Sequence, residues 1–243
     1  MKSPNLSVIC CYNSKDVYEN ALVASIQKQS LDIELIGLDN THAIFPSAAH
    51  ALNTGALQAH GKYLVFIHQD VEIEDPEFFM KLLKALDEQP DAVYGVAGAD
   101  SKGFVLTNIT QGKKRESAGP IQLETVQEVE TLDEVLIALT KELFDQHRFD
   151  EKTCNHWHLY GVELCLRLKT FGVKSLVLPL SLHHLSSGKL SKDYALNLYK
   201  VIRKHHKNYA VINTTCSRTK TDFIRSTRYV LRMIWDHHIK VKA

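Results

Sequence analysis

The run Tyr63-Leu64-Val65-Phe66-Ile67-His68-Gln69-Asp70-Val71-Glu72 sets an imidazole, an amide and a carboxylate directly behind five consecutive apolar or aromatic residues. A carboxylate so placed can hold a hard divalent cation that also grips phosphate oxygens. Two other short apolar runs end in the same way. One delivers Cys11-Tyr12-Asn13 and the other Asp39-Asn40. Asp39 could accept hydrogen bonds from a nucleobase N–H or a ribose hydroxyl, as a carboxylate at a second strand's end does in dinucleotide folds. Most strands end in polar residues, so the meaning of these endings depends on the elements that position them.

Those elements alternate. Residues 6–11 read as a strand. Asn13 or Ser14 can cap a helix over 15–29, with Val17, Ala21, Leu22 and Ile26 inward. Residues 33–38 read as a second strand. Ser47 caps a helix over 48–60, closed by Gly61. The unbroken run 63–67 is a buried strand of a parallel sheet. Asp75-Pro76 opens a helix whose face is Phe79, Leu82, Leu83 and Leu86. This β-α-β-α-β-α order predicts an α/β fold with a mostly parallel, doubly wound sheet flanked by helices. In such sheets ligands bind beyond the carboxyl ends of the strands, so the three polar endings converge on one edge.

Further on, strands are predicted over 92–97, 103–110 (more exposed), 135–139 and 175–180. The charged segment 111–130 reads as a loop with some extended structure. Helices are expected over 159–171, 193–206 and 222–235. On the last one, Phe223, Val230, Leu231 and Ile234 share one face, and Arg225, Arg228 and Arg232 another. The division expected is a domain over 1–190 and a basic C-terminal helical extension over 191–243 packed on it.

The bulk numbers fit one such α/β body: 243 residues, 44% hydrophobic and 23% charged. No apolar stretch approaches the roughly 20 residues that span a bilayer. The first residues, Met1 to Asn5, lead straight into a strand rather than a signal peptide, so a cytoplasmic location is expected. The five cysteines are odd in number and form no C-x-x-C pair, which argues for reduced thiols. Charge is uneven: from Tyr199 onward 11 Lys and Arg face 2 Asp and Glu, whereas the preceding residues hold 18 basic and 26 acidic groups. A basic tail on an acidic body suggests an anionic neighbour. It lacks the aromatic and basic interleaving of a single-strand platform, which argues against nucleic acid. The C-terminal helices could also pair two chains as a homodimer.

The absent fingerprints G-x-G-x-x-G and G-x-x-x-x-G-K-[ST] argue against nicotinamide or flavin enzymes and P-loop kinases. What is present resembles family 2 glycosyltransferases of the GT-A fold. The matching pieces are Ser7-Val8-Ile9-Cys10-Cys11-Tyr12-Asn13 with Leu38-Asp39-Asn40, and the helix with Ala49, Asn53, Gly55, Ala59 and Gly61. Phe66 to Val71 falls at the D-x-D metal motif. Phe149-Asp150-Glu151, Glu163-Leu164-Cys165-Leu166-Arg167, Gly172-Val173-Lys174 and the late His184 to Gly188 segment follow in order.

The resemblance implies a transferase that moves a sugar from a nucleotide diphosphate to an acceptor hydroxyl, usually with inversion. It implies a UDP-sugar by default, with Mn²⁺ or Mg²⁺. On it, Tyr12, Asn13 and Asp39 hold the nucleoside, Asn53, His68 and Gln69 complete the cofactor-binding set, and Asp70 and His184 ligate the metal. Its usual setting is bacterial surface glycan or glycolipid synthesis, with a glycan or lipid-linked acceptor at the inner face of the membrane. Two departures stand out. The D-x-D position keeps one acid, His68-x-Asp70, and a set with two imidazoles suits Mn²⁺ at least as well as Mg²⁺. Many members carry an E-D pair whose Asp is the base, where this chain has Tyr160-Gly161.

For the catalytic base, Glu163, Asp133 and His158 are the candidates. Glu163 is also spaced for an ordinary i,i+4 ion pair with Arg167. His156-x-His158 with His183-His184 could form a zinc site, but without fixed cysteine or carboxylate partners they read better as acceptor-site or surface residues. His205-His206 are expected to face solvent. Trp157 and Tyr160 could stack on a sugar or belong to the core. A sugar nucleotidyltransferase needs a glycine- and arginine-rich first loop, which Tyr12-Asn13-Ser14-Lys15 is not. The alternative of another kind is a catalytically degenerate protein that binds nucleotide sugar or a partner without turnover.

Overall fold

A computed structural model describes residues 5–186 and 190–242, with side chains to residue 236. The late Ser187-Gly188 pair of the resemblance lies outside the described residues.

The chain begins with β1 (Leu6–Tyr12) and a helical stretch, α1, made of Lys15–Val17, a π-helical segment Tyr18–Val23 and Ala24–Ile26. Then come β2 (Glu34–Asp39), α2 (Ala48–Gln58), β3 (Tyr63–Ile67), β4 (Val71–Glu72) and α3 (Phe78–Glu88). Seven short strands follow: β5 (Ala92–Gly95), β6 (Ala97–Ala99), β7 (Val105–Thr107), β8 (Thr110–Gln111), β9 (Glu116–Ser117), β10 (Gln127–Val129) and β11 (Thr131–Leu132). The chain then forms β12 (Leu136–Thr140), α4 (Lys141–Gln146), α5 (Tyr160–Lys169), β13 (Lys174–Val177) and β14 (His183–His184). It ends with α6 (Lys192–His205), the hairpin β15 (Val211–Asn213) and β16 (Arg218–Lys220), and α7 (Phe223–Lys242).

The central sheet has the order β10-β13-β5-β12-β3-β1-β2. β1, β2 and β3 pair in parallel, as do β13 and β5, whereas β12 and β10 run antiparallel to their neighbours. The mostly parallel α/β fold read from the sequence is therefore present. The helices cover both faces, which is why the strands read as unbroken apolar runs. Alternation within β3 shows the two sides. Leu64 and Phe66 join one core cluster with residues of α2, α5 and α6, and Tyr63, Val65 and Ile67 join the other with residues of α3.

Several expectations need correction. The first helix stops at Ile26, short of residue 29. α2 stops at Gln58 because Ala59 is already extended, and Gly61 serves packing rather than a cap. A Cβ at Gly61 would lie 2.7 Å from the Ser7 backbone nitrogen, so only glycine lets this turn press on β1. The strand predicted over 92–97 is two strands in two sheets. Val96 separates β5, in the central sheet, from β6, in a small sheet ordered β11-β6-β7. The strand predicted over 103–110 likewise splits into β7 and β8. β8 belongs to a further sheet, β4-β14-β8-β9.

On α7, Val230 is buried but Phe223 and Leu231 are exposed, so these three do not form one buried face. The inward face is Ser226 and Val230, with Tyr229 and Met233 partly covered. Residues three and four apart make this stripe. No helix among the described residues is long and apolar enough to cross a membrane.

Candidate active site

Sheet order dictates what meets at the strand ends. β2, β1 and β3 lie side by side and point the same way, with Tyr12 in register with Asp39. Asp39, Tyr12-Asn13 and His68-Gln69-Asp70 therefore line one edge in that order. β14 pairs with β4, and its register sets His184 opposite Val71. This carries His184 across 114 residues of chain to Asp70.

His184 Nε2 lies 3.1 Å from Asp70 Oδ1 and 3.4 Å from His68 Nδ1. Ligand atoms of His68, Asp70 and His184 all fall within 4.8 Å of one another, the one such group of three or more among the described residues. Burial alone would raise Asp70, but the hydrogen bond and charge interaction with His184 lead the contacts that outweigh it and hold the carboxyl far below its ordinary range. Burial, together with His184, pushes His68 down to about 4, so its imidazole is neutral at physiological pH and has a lone pair to donate. Two imidazoles and an ionised carboxylate fit a divalent transition ion such as Mn²⁺.

This cluster lines a cavity of about 440 Å³. Its wall includes Asp133, Glu134 and His158 from the body, and Thr214, Thr215 and Cys216 from the loop joining β15 to β16. Asp133 has both oxygens engaged, one by the Val135 N–H at 3.0 Å and the other by the Thr215 hydroxyl. Burial lowers the pKa of His158, against the opposing pull of Asp193 and Asp133.

Glu134, which motif reasoning passed over, lines the same wall. Burial pushes it up to about 8, Asp133 adds to the rise, and backbone N–H groups of Val162, Leu159 and Gly161 pull it back in part. Its signal in the sequence was the acidic pair Asp133-Glu134 at the entrance to an apolar core strand.

The side of the edge formed by β1 and β2 is more open. Tyr12 stacks on Tyr18, with ring centroids 4.3 Å apart and planes 9° apart. The π-helical segment of α1 carries Tyr18, and Gly37 makes room for it: a Cβ there would lie 2.5 Å from the Tyr18 hydroxyl. Asp39 is exposed and accepts from Thr41 N–H and Oγ1 at 2.8 and 2.7 Å. Gln69 Oε1 accepts the N–H groups of Asn13 and Ser14 at 3.0 Å each, and its Nε2 donates to Asn13 Oδ1 at 2.7 Å. Gln69 thus fixes the loop after β1.

Other expected site residues lie elsewhere. Asn53 is buried: Nδ2 donates to Phe149 O and Glu151 Oε1, and Oδ1 accepts from Phe149 N–H. Its amide is consumed in holding the Phe149-Asp150-Glu151 turn against α2. Glu163 is 0% exposed and does not line the cavity. Arg167 Nε donates to it at 3.0 Å, Lys204 Nζ at 2.6 Å, and His205 Nε2 lies 3.4 Å away. It has no route to an acceptor, so it is a structural ion-pair partner rather than the base. His205 is buried beside it, contrary to the solvent-facing expectation. Tyr160 is core, edge-on to Phe149 at 5.0 Å. The four-histidine zinc arrangement does not form. His183 turns to Thr110, with Nδ1 3.0 Å from Oγ1, while the adjacent His184 turns the other way to Asp70, because neighbours on a strand face opposite sides.

The family described as glycosyltransferase-like matches residues 7–208. The chain belongs to this family of glycosyltransferase-like proteins. Solved structures share the fold. TarS 1–349 of S. aureus with UDP-GlcNAc is similar at a TM-score of 0.58 and 17% identity, over 84% of this chain and 67% of that one. The mannosyltransferase PcManGT of Pyrobaculum calidifontis with GDP-Man and Mn²⁺ gives 0.59 and 13%, over 96% and 69%. GalNAc-T7 with UDP, GalNAc and Mn²⁺ gives 0.57 and 14%, over 98% and 55%. A curated protein of Fuscovulum blasticum, "ATP synthase subunits region ORF 6", is 25% identical over 137 residues. That match spans about half of each protein.

Proposed function

We propose that the protein is a metal-assisted glycosyltransferase that moves a sugar from a nucleoside diphosphate to an acceptor hydroxyl, with inversion. The observation that carries this reading is the convergence of His68, Asp70 and His184 at the carboxyl end of β3, in the wall of the cavity. Family membership and relatives of the same fold that hold UDP- or GDP-sugars, one with Mn²⁺, support it. A divalent ion bound by these three side chains would neutralise the departing diphosphate. Asp39 and the stacked Tyr12, with the Asn13 loop held by Gln69, offer a polar and aromatic ledge for the nucleoside. The acceptor enters the 440 Å³ cavity, whose wall mixes carboxylates with Val105, Ile109 and Leu190. We place the protein in surface glycan or glycolipid synthesis at the inner face of a membrane, with the basic extension toward anionic lipid.

Isothermal titration with UDP, GDP and CDP, with and without Mn²⁺, tests the donor site on wild type and Asp70→Ala. Metal-dependent binding of one nucleotide, weakened at least tenfold in the variant, is expected. No binding of any nucleotide would overturn the reading.

A further inference from the structure

We propose that Glu134 is the catalytic base that takes the proton from the acceptor hydroxyl, a carboxylate delivered by the connection into β12 in place of one carried on α5. The inference rests on the transferase reading above.

Three observations carry it. Glu134 lines the same cavity as Asp70 and His184. Its neighbour Val135 accepts the His68 N–H at 3.1 Å, so the connection that bears Glu134 is hydrogen-bonded to the segment that bears the cation-holding residues. The start of α5 is built around this carboxylate. Oε1 accepts the N–H of Gly161 at 3.2 Å and of Val162 at 3.4 Å. Leu159, just before the helix, takes the left-handed conformation at φ 67°, a strained state for a branched residue that persists only where its surroundings enforce it. At Gly161 there is room for no side chain. A Cβ there would lie 3.3 Å from Glu134 Oε1 and 2.4 Å from Ile137 Cδ1. Ile137 takes the space that a side chain at 161 would need, and the Glu134 carboxylate packs close beside it.

The other acids fit the role less well. Glu163 is sealed in an ion-pair network away from the cavity. Asp133 faces the cavity but has an internal donor on each oxygen. The Gly161 and Val162 hydrogen bonds to Glu134 fall on Oε1 and fix the group at the start of α5. In the transfer, the acceptor oxygen bonds to the anomeric carbon as its proton passes to Glu134. The bond from that carbon to the diphosphate oxygen breaks, and its electron pair leaves with the nucleoside diphosphate. Glu134 then returns the proton to water.

The variant Glu134→Gln tests this cleanly, because its amide oxygen still accepts from Gly161 and Val162 but cannot take up a proton. Nucleoside diphosphate release would be followed from UDP-N-acetylglucosamine, UDP-galactose and GDP-mannose with Mn²⁺, with a panel of p-nitrophenyl glycosides or water as acceptor. Dissociation constants for UDP and GDP would be measured alongside. The expected result is a loss of turnover of about 10²- to 10⁴-fold with nucleotide affinity within twofold of wild type, and partial activity in Glu134→Asp. Turnover in Glu134→Gln within a few-fold of wild type would overturn the assignment and leave the transferase reading standing. So would loss of nucleotide binding in step with turnover. Nucleotide binding by wild type without turnover across the panel would overturn it in favour of a non-catalytic protein. No nucleotide binding by wild type would remove the transferase reading, and the assignment with it.

Discussion

Side chains of one kind take opposite roles here, according to what surrounds them. Glu163 is fully buried and Glu134 half-buried, yet Glu134 is pushed up to about 8 and Glu163 held down to about 2. Burial raises both. At Glu163 the contacts from His205, Arg167 and Lys204 outweigh it, whereas Glu134 has only backbone N–H groups against the added charge of Asp133. A folded-state pKa below the ordinary 4.5 means that Glu163 contributes stability in full above that pH. This contribution fades as pH falls toward about 2, where the folded carboxylate takes up its proton. Glu163→Gln should cost about 3 kcal/mol at pH 7, because Arg167 and Lys204 lose a buried counter-charge. Urea unfolding measured from pH 7 to pH 3 should show that cost shrinking on the acid side. A variant as stable as wild type at pH 7 would refute the structural role given to Glu163.

At the scale of elements, the site depends on short strands and tight turns that hold long helices and strands in register. The pairing of β14 with β4 is only two residues long, yet it brings His184 to Asp70. The turn before β3 fixes where that strand starts. Gly61 there donates its N–H to Ser7 Oγ at 2.8 Å and packs on β1 backbone. Gly61→Ala should therefore push β1 and β3 apart and destabilise the protein by about 1–3 kcal/mol, the usual range for overpacking. A fall in the urea midpoint at unchanged slope would show this. An unchanged midpoint would mean that the turn relaxes without strain.

For the whole molecule, the C-terminal elements contribute to the core and to the cavity wall. Tyr194, Leu198, Val201 and Ile202 of α6 belong to the same core cluster as Phe66 and Leu164. Thr214, Thr215 and Cys216 complete the cavity wall. α7 packs through Ser226 and Val230 and leaves Ile224, Leu231 and Trp235 exposed, Trp235 by 68%. Arg228 and Arg232 are exposed and lie next to this apolar stripe by helical spacing. Such a face suits an anionic bilayer surface. Arg228→Gln with Arg232→Gln should weaken sedimentation with phosphatidylglycerol vesicles by about 2 kcal/mol, roughly thirtyfold. Equal binding of wild type to neutral phosphatidylcholine vesicles would count against an electrostatic membrane surface.

The sequence by itself determined the parallel core, because strands covered on both faces must be apolar at every position, as at Tyr63–Ile67. It also determined the strand-end positions Tyr12, Asp39 and Asp70, since a buried run can end only where polar groups return to solvent. The tertiary structure decided what long-range pairing alone can bring about. Period-two geometry on a two-residue strand sent His184 to the site and His183 away from it. Packing against α2 consumed Asn53, and α6 enclosed Glu163 in ion pairs. The close approach at Gly161 gave Glu134 its place at the start of α5. Each depends on groups dozens of residues apart meeting within a few ångströms, which spacing along one chain does not specify.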